Sequence, residues 1–254
     1  MTVTVIARNT FKEAVRDRVL YLLFFFAATA ILLARILALL TVGDRVKIIM
    51  DVGLASISLF GTLMAVLIGT GLVYKEIEKR TIQTLLAKPL RRRDFLLGKF
   101  LGLVLTLAVL LAAMSAIFLL LVLVQTGRVE WRILLAVLYI FLELILVTAV
   151  AILFSSFSTP ILSSLFALGF YLIGHFSWSL EMIIRKLPAG AVRTFLRFLD
   201  AFLPDLENFN VKTEVVHNLP IAGAHLLFAA GYGLLYTTFV LGLAILVFRR
   251  RDFV

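Results

Sequence analysis

Cysteine is absent from this chain of 254 residues, and histidine and methionine are scarce, at 3 and 5 residues. Without cysteine the chain forms neither a disulfide bond nor a thiolate metal site. The histidines and methionines are scattered along the sequence, whereas a copper site needs them clustered. We therefore expect no metal and no other cofactor on this chain.

Charged residues are also few. They make up 16% of the chain, against 62% hydrophobic residues, while soluble domains are about 45–50% apolar. Such a chain is expected to bury its apolar surface in lipid, as an integral membrane protein. Its 22 phenylalanines and only 5 prolines favour long apolar helices. The alternating segments of about 10 residues that are typical of a membrane barrel are missing.

The chain is nevertheless basic, with a net charge of +10. A nucleic-acid-binding protein gathers its Lys and Arg on one face or stripe, but here they flank the apolar runs, so we expect no nucleic-acid partner. We also expect no cleavable signal peptide. The first apolar run starts near Val19, after a charged segment, and is too long for the core of such a peptide.

Six apolar runs are long enough to cross a bilayer core of about 30 Å, which needs about 20 helical residues. The sequence thus predicts an all-α integral membrane fold with six transmembrane helices in one domain over residues 1–254. A tight turn at Pro160 would separate the fourth and fifth runs, unless the two form one long kinked helix. The predicted spans are 19–42, 52–73, 100–124, 133–154, 161–180 and 221–248.

The distribution of basic residues predicts the orientation of these spans. Of the 25 Lys and Arg residues, 15 lie on one side, 9 lie on the other, and Arg35 lies inside a span. Because Lys and Arg accumulate in cytoplasmic loops, the richer side is predicted to be cytoplasmic. The chain would then be a multi-pass protein of the cytoplasmic (inner) membrane with both termini in the cytoplasm.

Residues 3–18 are predicted to form an N-terminal amphipathic helix that lies on the cytoplasmic membrane surface. Basic residues recur on one side of this helix, and apolar residues lie on the other. These are Arg8, Lys12 and Arg16 on the basic side and Ala7, Phe11, Ala14 and Val15 on the apolar side. The alternative is a basic anchor that only sets the orientation of the first span.

The densest charge lies between the second and third spans, in residues 74–99. Residues 76–87 can form about three helical turns with one apolar face, and Pro89 would end that helix. Asp94 is the predicted N-cap of the helix that enters the third span. Arg91–Arg93 would lie at the level of the lipid phosphates. A solvated loop that carries orientation charges is the alternative.

Three ionisable residues within the spans are candidates for a role in the membrane: Arg35, Glu143 and His175. A charge in the hydrocarbon region costs at least about 2.5–3.5 kcal/mol on insertion scales, so each needs a partner or a wet cavity. All three are candidates to line a pathway or brace the spans. Arg35 either pairs with Glu143 or reaches the outer interface on its own.

Two further patterns concern packing. Small residues recur at every fourth position of the second span, at Gly61, Ala65 and Gly69. Such a stripe lets helices approach closely, either within one chain or at a dimer seam. Residues 181–220 contain a second amphipathic stretch, which is typical of an outer helix in the headgroup region or of a cap over the exit of a pathway.

The charged hairpin and the order of the parts resemble the permease subunits of ATP-binding-cassette (ABC) transporters of the type-2 exporter family. The resemblance rests on Glu76-x-Glu78-x-x-Thr81-Ile82-x-x-Leu85-Leu86-Ala87-x-Pro89, followed by Phe95, Gly98-Lys99 and Gly102, and on the basic tail Phe248–Phe253. Residues 203–210 are similar to a segment of the subgroup associated with multicopper-enzyme maturation. Arg91 departs from the pattern, which has a small serine there.

The resemblance implies an exporter half that forms a homodimer and docks two copies of an ABC ATPase subunit. The hairpin would be the coupling helix that fits a groove of the ATPase, and the N-terminal helix would brace the same subunit. The implied coupling contacts are Glu76, Ile77, Glu78, Lys79, Arg80, Thr81, Leu85 and Leu86, with Phe11, Lys12 and Arg16 from the N-terminal helix.

The residues themselves agree that ATP and Mg²⁺ belong on a partner, so that this chain is not itself an enzyme. Gly98-Lys99 lacks the preceding glycine and the following hydroxyl residue of a phosphate loop. The apolar spans favour no single substrate among lipid, peptide, drug, polysaccharide and a sulfur species.

Two other functional classes were weighed against this one. An ion-coupled secondary carrier is expected to show internal repeats and interrupted spans, and neither is evident. A membrane-embedded enzyme needs a nucleophile within reach of a base. Ser163 and Ser164 share a predicted span with His175, but they lie about 11–12 residues from it, too far to meet at ~1.5 Å per residue.

Overall fold

The computed structural model describes residues 2–40, 44–78, 92–176 and 190–250, together with Met182, Ile184, Lys186 and Leu187. The described part is helical, and no strand occurs in it. The helices are α1 (Thr2–Val15), α2 (Arg18–Leu39), α3 (Arg45–Glu78), α4 (Arg92–Thr126), α5 (Arg132–Ser155), α6 (Pro160–His175), α7 (Ala191–Phe202), the short 3-10 helix η1 (Leu206–Phe209), α8 (Lys212–Val216) and α9 (Gly223–Arg250).

Five of these helices, α2, α3, α4, α5 and α9, are long and apolar enough to cross a membrane. They correspond to five of the six predicted spans. The fifth predicted span, 161–180, contains α6, an apolar helix of 16 residues that rises about 24 Å at 1.5 Å per residue. Residues 177–181 lie outside the described ranges, so the count of six spans stays a prediction.

The turn that was predicted at Pro160 is present, and it separates α5 from α6. Thr159 precedes α6 in an extended conformation (φ −76°, ψ 160°), and Pro160 occupies the first turn of α6. Proline is well suited to that position because its missing N–H would have had no partner there. The alternative of one long kinked helix is therefore wrong.

Helix α5 lies at the centre of the bundle. It packs against α3, α4, α6 and α9, and also against η1 and α8. Its buried residues surround the helix rather than form one stripe, as in the run Leu146–Ile152, where all seven residues are buried. A helix that is apolar on all sides is expected to be enclosed by other helices.

The small-residue stripe of α3 packs against α5 within the same chain. A Cβ atom added to Gly61 would lie 2.6 Å from Leu144 Cδ1, and one added to Gly69 would lie 3.2 Å from Ala151 Cβ. Ala65 between them is 2% exposed. Close approach of two helix backbones explains why these positions hold small residues.

Helix α1 lies against α4, again through glycines. A Cβ atom at Gly98 would lie 2.6 Å from Ile6 Cβ, and one at Gly102 would lie 2.6 Å from the carbonyl oxygen of Ala7 and 2.6 Å from Thr10 Cβ. Thr10 and Ala14 are buried at 1% and 0% exposure. One face of α1 is therefore covered by protein. Whether α1 also lies on the membrane surface stays a prediction.

Residues 204–216, which we call the 204–216 segment, enter the bundle between the long helices. The segment contains η1 and α8, which together contact α3, α5, α6 and α9. Its apolar residues are nearly inaccessible: Leu206, Phe209, Val211, Val215 and Val216 are each at most 1% exposed. The segment is thus part of the core. The residues that carry the predicted outer amphipathic pattern, 192–203, precede it and largely form α7, and whether α7 lies at the outer membrane surface stays a prediction.

One prediction about a helix start is wrong. Helix α4 begins at Arg92, so Asp94 lies inside its first turn instead of capping it. The carboxylate is 3.5 Å from Arg93 Nε. An acidic side chain in the first turn still stabilises the positive end of the helix dipole, which explains why the composition resembled a cap.

The substitution Gly102→Ala tests the contact between α1 and α4. The added Cβ would lie 2.6 Å from the backbone oxygen of Ala7, and overpacking of this kind costs about 1–3 kcal/mol. We expect a lower apparent Tm of the detergent-solubilised chain. Gly169→Ala on α6 is the matched control, because nothing lies within 4 Å of that site. The control should keep or raise the Tm, and equal Tm values for both variants would contradict the packing described here.

Candidate functional site

Of the residues implicated in coupling, those that the structure describes lie at one end of the bundle, which we call the α1 end. Lys12 on α1 and Arg16 in the turn after α1 are exposed, and Phe11 on α1 is half-buried. The three predicted contact residues are therefore accessible at or next to a helix whose opposite face is fixed on α4. A soluble partner could touch the basic residues without displacing the helix.

A buried lysine contributes to holding α1 in place. The side chain of Lys99 on α4 is 2% exposed, and its Nζ lies 3.3 Å from Glu13 Oε2 on α1. Removing one member of such a pair leaves a buried charge without its counter-charge, which is costly. Gly98, Lys99 and Gly102 thus form one docking surface for α1: two glycines admit its backbone, and the lysine binds its carboxylate.

The predicted coupling helix is described only at its start. Glu76, Ile77 and Glu78 continue the backbone of α3, a single helix of 34 residues, so the helical backbone enters the charged hairpin without interruption. The other predicted contacts lie outside the described residues. They are Lys79, Arg80, Thr81, Leu85 and Leu86.

Helices α4 and α9 are joined at the same end. Arg92 Nη1 donates to the carbonyl oxygens of Phe248 at 3.3 Å and Arg249 at 2.9 Å, groups that lack intrahelical partners at a helix C-terminus. The rings of Phe95 and Phe248 stack with centroids 6.0 Å apart. A cavity of about 440 Å³ lies beside this junction, lined by Arg92, Arg93, Ile245 and Arg249.

A second, more apolar cavity of about 460 Å³ opens between α2, α3 and α6. Its lining includes Leu67, Ile161 and the hydroxyl pair of Thr70 and Ser164, whose oxygens are 2.8 Å apart. Ser163 and Ser164 lie at the start of α6 and His175 at its end. The two serines are therefore too far along α6 from His175 to form a nucleophile–base pair with it, as the sequence predicted.

The two ionisable residues Glu143 and His175 are brought together in the bundle. Glu143 on α5 is 0% exposed, and its Oε1 lies 3.5 Å from Nε2 of His175 at the end of α6. The hydroxyl of Tyr171, one turn earlier on α6, faces this carboxylate and also Ser58 and Thr62 on α3. The result is a polar cluster within the membrane-spanning part of the bundle.

Arg35 is not part of this cluster. It lies on an exposed face of α2, and no ion pair joins it to Glu143 among the described residues. The alternative that pairs Arg35 with Glu143 is therefore wrong. The carboxylate of Glu143 faces His175 on α6, whereas Arg35 points away from the bundle on α2. A long arginine side chain on a lipid-facing helix can reach the interface instead.

Two positions of the candidate site were not predicted from the sequence: Lys99, the buried partner of α1, and Lys212, a residue of the polar cluster. Lys212 Nζ donates to Ser58 Oγ at 3.1 Å. The spacing of Gly98 and Gly102 was a usable signal for the first, since small residues four apart allow two helices to approach closely. Nothing local in the sequence marks the second.

A comparison with known protein families identifies the family of this chain. The family described as ABC-2 family transporter protein matches residues 4–253. The chain belongs to the ABC-2 transporter family. No curated protein matches the chain at a significant level. As an ABC-2 protein it is a transport component of a membrane, and such components generally act with an ABC ATPase and are not enzymes themselves.

The substitution Glu13→Gln tests how α1 is held in this ABC-2 chain. It removes the carboxylate that faces buried Lys99, so α1 should open more often. Trypsin cleaves after Arg8 and Lys12 within α1 only when the helix opens, and we expect faster cleavage at these sites by a fewfold, as for the loss of about 1 kcal/mol.

Asp44→Asn is the control for this experiment. It removes an exposed carboxylate that is 3.6 Å from Lys47 Nζ, a pair that lies before and at the start of α3, away from α1. Cleavage within α1 should keep its parental rate. An equal effect of both substitutions would show that the Lys99–Glu13 contact does not hold the helix.

Proposed function

We propose that the chain is the transmembrane subunit of an ABC exporter of the cytoplasmic membrane, driven by a separate ATPase. The family match over residues 4–253 carries the proposal. The complete unit would contain two copies of this permease and two copies of the ATPase, with both termini of each permease in the cytoplasm.

The α1 end is the proposed docking surface for the ATPase. Lys12 is exposed beside Phe11 on α1, exposed Arg16 follows in the next turn, and the other face of α1 is fixed on α4. Glu76–Glu78 extend α3 toward the charged hairpin. Movement of the ATPase against either element would be passed to α4 through Gly98, Lys99 and Gly102, or directly to α3, and from both helices to α5.

ATP and Mg²⁺ would be bound by the ATPase, in keeping with the missing phosphate loop of this chain. The cavity formed by Arg92, Arg93 and Arg249 supports the proposed orientation. Basic residues between helices on the cytoplasmic side are suited to anionic lipid headgroups, so membrane lipid is a further partner of this end.

Two finer points belong to the same proposal. Residues 203–210 favour the subgroup associated with multicopper-enzyme maturation, and Glu143 and His175 would act inside the membrane by bracing spans or lining the pathway. The observed 3.5 Å contact between α5 and α6 supports the bracing role. Arg35 would act at the lipid interface.

Charge reversal at Glu76 and Glu78 tests the docking surface. The chain is co-expressed with ABC ATPase subunits of its own genome, and the subunit that co-purifies is retained. The variant Glu76→Lys with Glu78→Lys should reduce co-purification and the stimulation of ATP hydrolysis by at least about tenfold, the effect of losing about 1.4 kcal/mol of binding.

Glu130→Lys is the matched control, because Glu130 lies in the connection between α4 and α5, at the other end of α4 from Arg92. It reverses an acid without touching the α1 end. Complex formation should stay at the parental level. If the double reversal also left both complex formation and hydrolysis unchanged, the coupling-helix hypothesis would fail.

A further inference from the structure

The carboxylate of Glu143 is enclosed without a hydrogen bond to balance it. Glu143 is 0% exposed, and neither of its oxygens accepts a hydrogen bond from a described residue. The imidazole of His175 is 3.5 Å away, but it offsets a negative charge only when it is protonated. A buried carboxylate at this depth needs a counter-charge.

Lys212 of α8 is the candidate for this counter-charge, because its positive charge acts on Glu143 in the sense that offsets the carboxylate. Its Nζ donates to Ser58 Oγ at 3.1 Å, and Ser58 in turn faces the hydroxyl of Tyr171, which faces Glu143. A continuous row of polar groups therefore joins Lys212 to Glu143 through α3 and α6.

Apart from Lys212, the charged residues of the 204–216 segment are acidic. The segment contains the acids Asp205, Glu207 and Glu214, and Lys212 is its only Lys or Arg. Glu207 already acts on Glu143 as a like charge. Without Lys212, an acidic segment would approach a buried carboxylate with nothing to offset the repulsion.

The apolar residues of the segment pack closely against the bundle, but these contacts do not offset the charge of Glu143. A Cβ atom at Gly174 would lie 2.7 Å from Leu206 Cγ, and one at Gly233 would lie 2.8 Å from the ring of Phe209. The backbone N–H of Asp205 donates to the Tyr232 hydroxyl at 3.0 Å. These contacts define the position of the segment. They leave the negative charge of Glu143 to be offset by Lys212.

We propose that Lys212 and Glu143 form an intramembrane anchor that keeps the 204–216 segment inserted between α3, α5, α6 and α9, and that loss of either charge releases the segment. Glu143 would thereby act as a positioning residue for a segment far along the chain. The inference goes beyond the proposed export function, and its test requires neither transport nor an ATPase.

The natural absence of cysteine allows a direct test by labelling. Val215→Cys places a thiol at a position that is 0% exposed, and its reaction with a charged maleimide reports release of the segment in nanodiscs. Glu143→Gln and Lys212→Met should each raise the labelling rate about tenfold, the change in open population expected from losing one interaction of ordinary strength.

Two results decide whether the charges act as a pair. The double variant Glu143→Gln with Lys212→Met should label no faster than the single variants, because the second substitution removes nothing further. Lys212→Arg keeps the positive charge and should stay near the parental rate. Full additivity of the two single effects would overturn the proposal, and so would a parental rate in Lys212→Met.

The controls separate release of the segment from general loss of structure. Glu207→Gln removes an exposed like charge of the same segment and should not raise the rate. Thr213→Cys is exposed and should react quickly in every background. Ala14→Cys, at a buried position of α1, should stay protected. If Glu143→Gln also exposes Ala14→Cys, the Lys212→Met variant alone decides the outcome.

Discussion

The burial of one carboxylate at the centre of a lipid-embedded bundle is the constraint on which much of this architecture depends. Glu143 lies on α5, the helix that contacts nearly every other long helix. A charge in that position is tolerated only when neighbouring elements bring polar groups to it. His175 and Tyr171 of α6 face it, and Lys212 of α8 is hydrogen-bonded to Ser58 of α3 in the same polar cluster. The cluster thus ties together elements that no local sequence signal connects.

At the α1 end of the molecule, helix α4 connects elements that are distant in the sequence. Its first turns receive α1 through Gly98 and Gly102, hold Glu13 through Lys99, and bind the C-terminal turn of α9 through Arg92. The N-terminal helix and the last long helix are therefore both fastened to the helix that follows the charged hairpin. A force applied at the hairpin or at α1 would reach the bundle through the same few contacts.

The positions of the long helices were predictable because the bilayer demands about 20 apolar residues for each crossing. That demand is local, and it can be read from runs such as those of α2 and α5 without any knowledge of their neighbours. The short length of α6 was not predictable, since its apolar run continues beyond His175 in the sequence while the described helix does not. The family resemblance drawn from the hairpin and the order of parts was confirmed by the match over residues 4–253.

Contacts between distant parts of the chain were harder to predict. The stripe of Gly61 and Gly69 indicated close packing, but only the structure identifies α5 as its partner. Asp94 was predicted to cap α4 but lies in its first turn, because acids favour both the cap and the first turn of a helix. The contact of Glu143 with His175 depends on how α6 folds back against α5. A pair with Arg35 was one of two alternatives, and sequence spacing does not show which residues of different spans lie side by side.

The central proposal is that ATP hydrolysis on a separate ATPase chain drives conformational change in this permease. The most direct measurement is the rate of ATP hydrolysis in proteoliposomes that hold the permease alone, the ATPase subunit alone, or both. The account predicts no hydrolysis by the permease alone and a rate for the ATPase that changes when the permease is present. Hydrolysis by the permease alone, or an ATPase rate that is the same with and without it, would contradict the account.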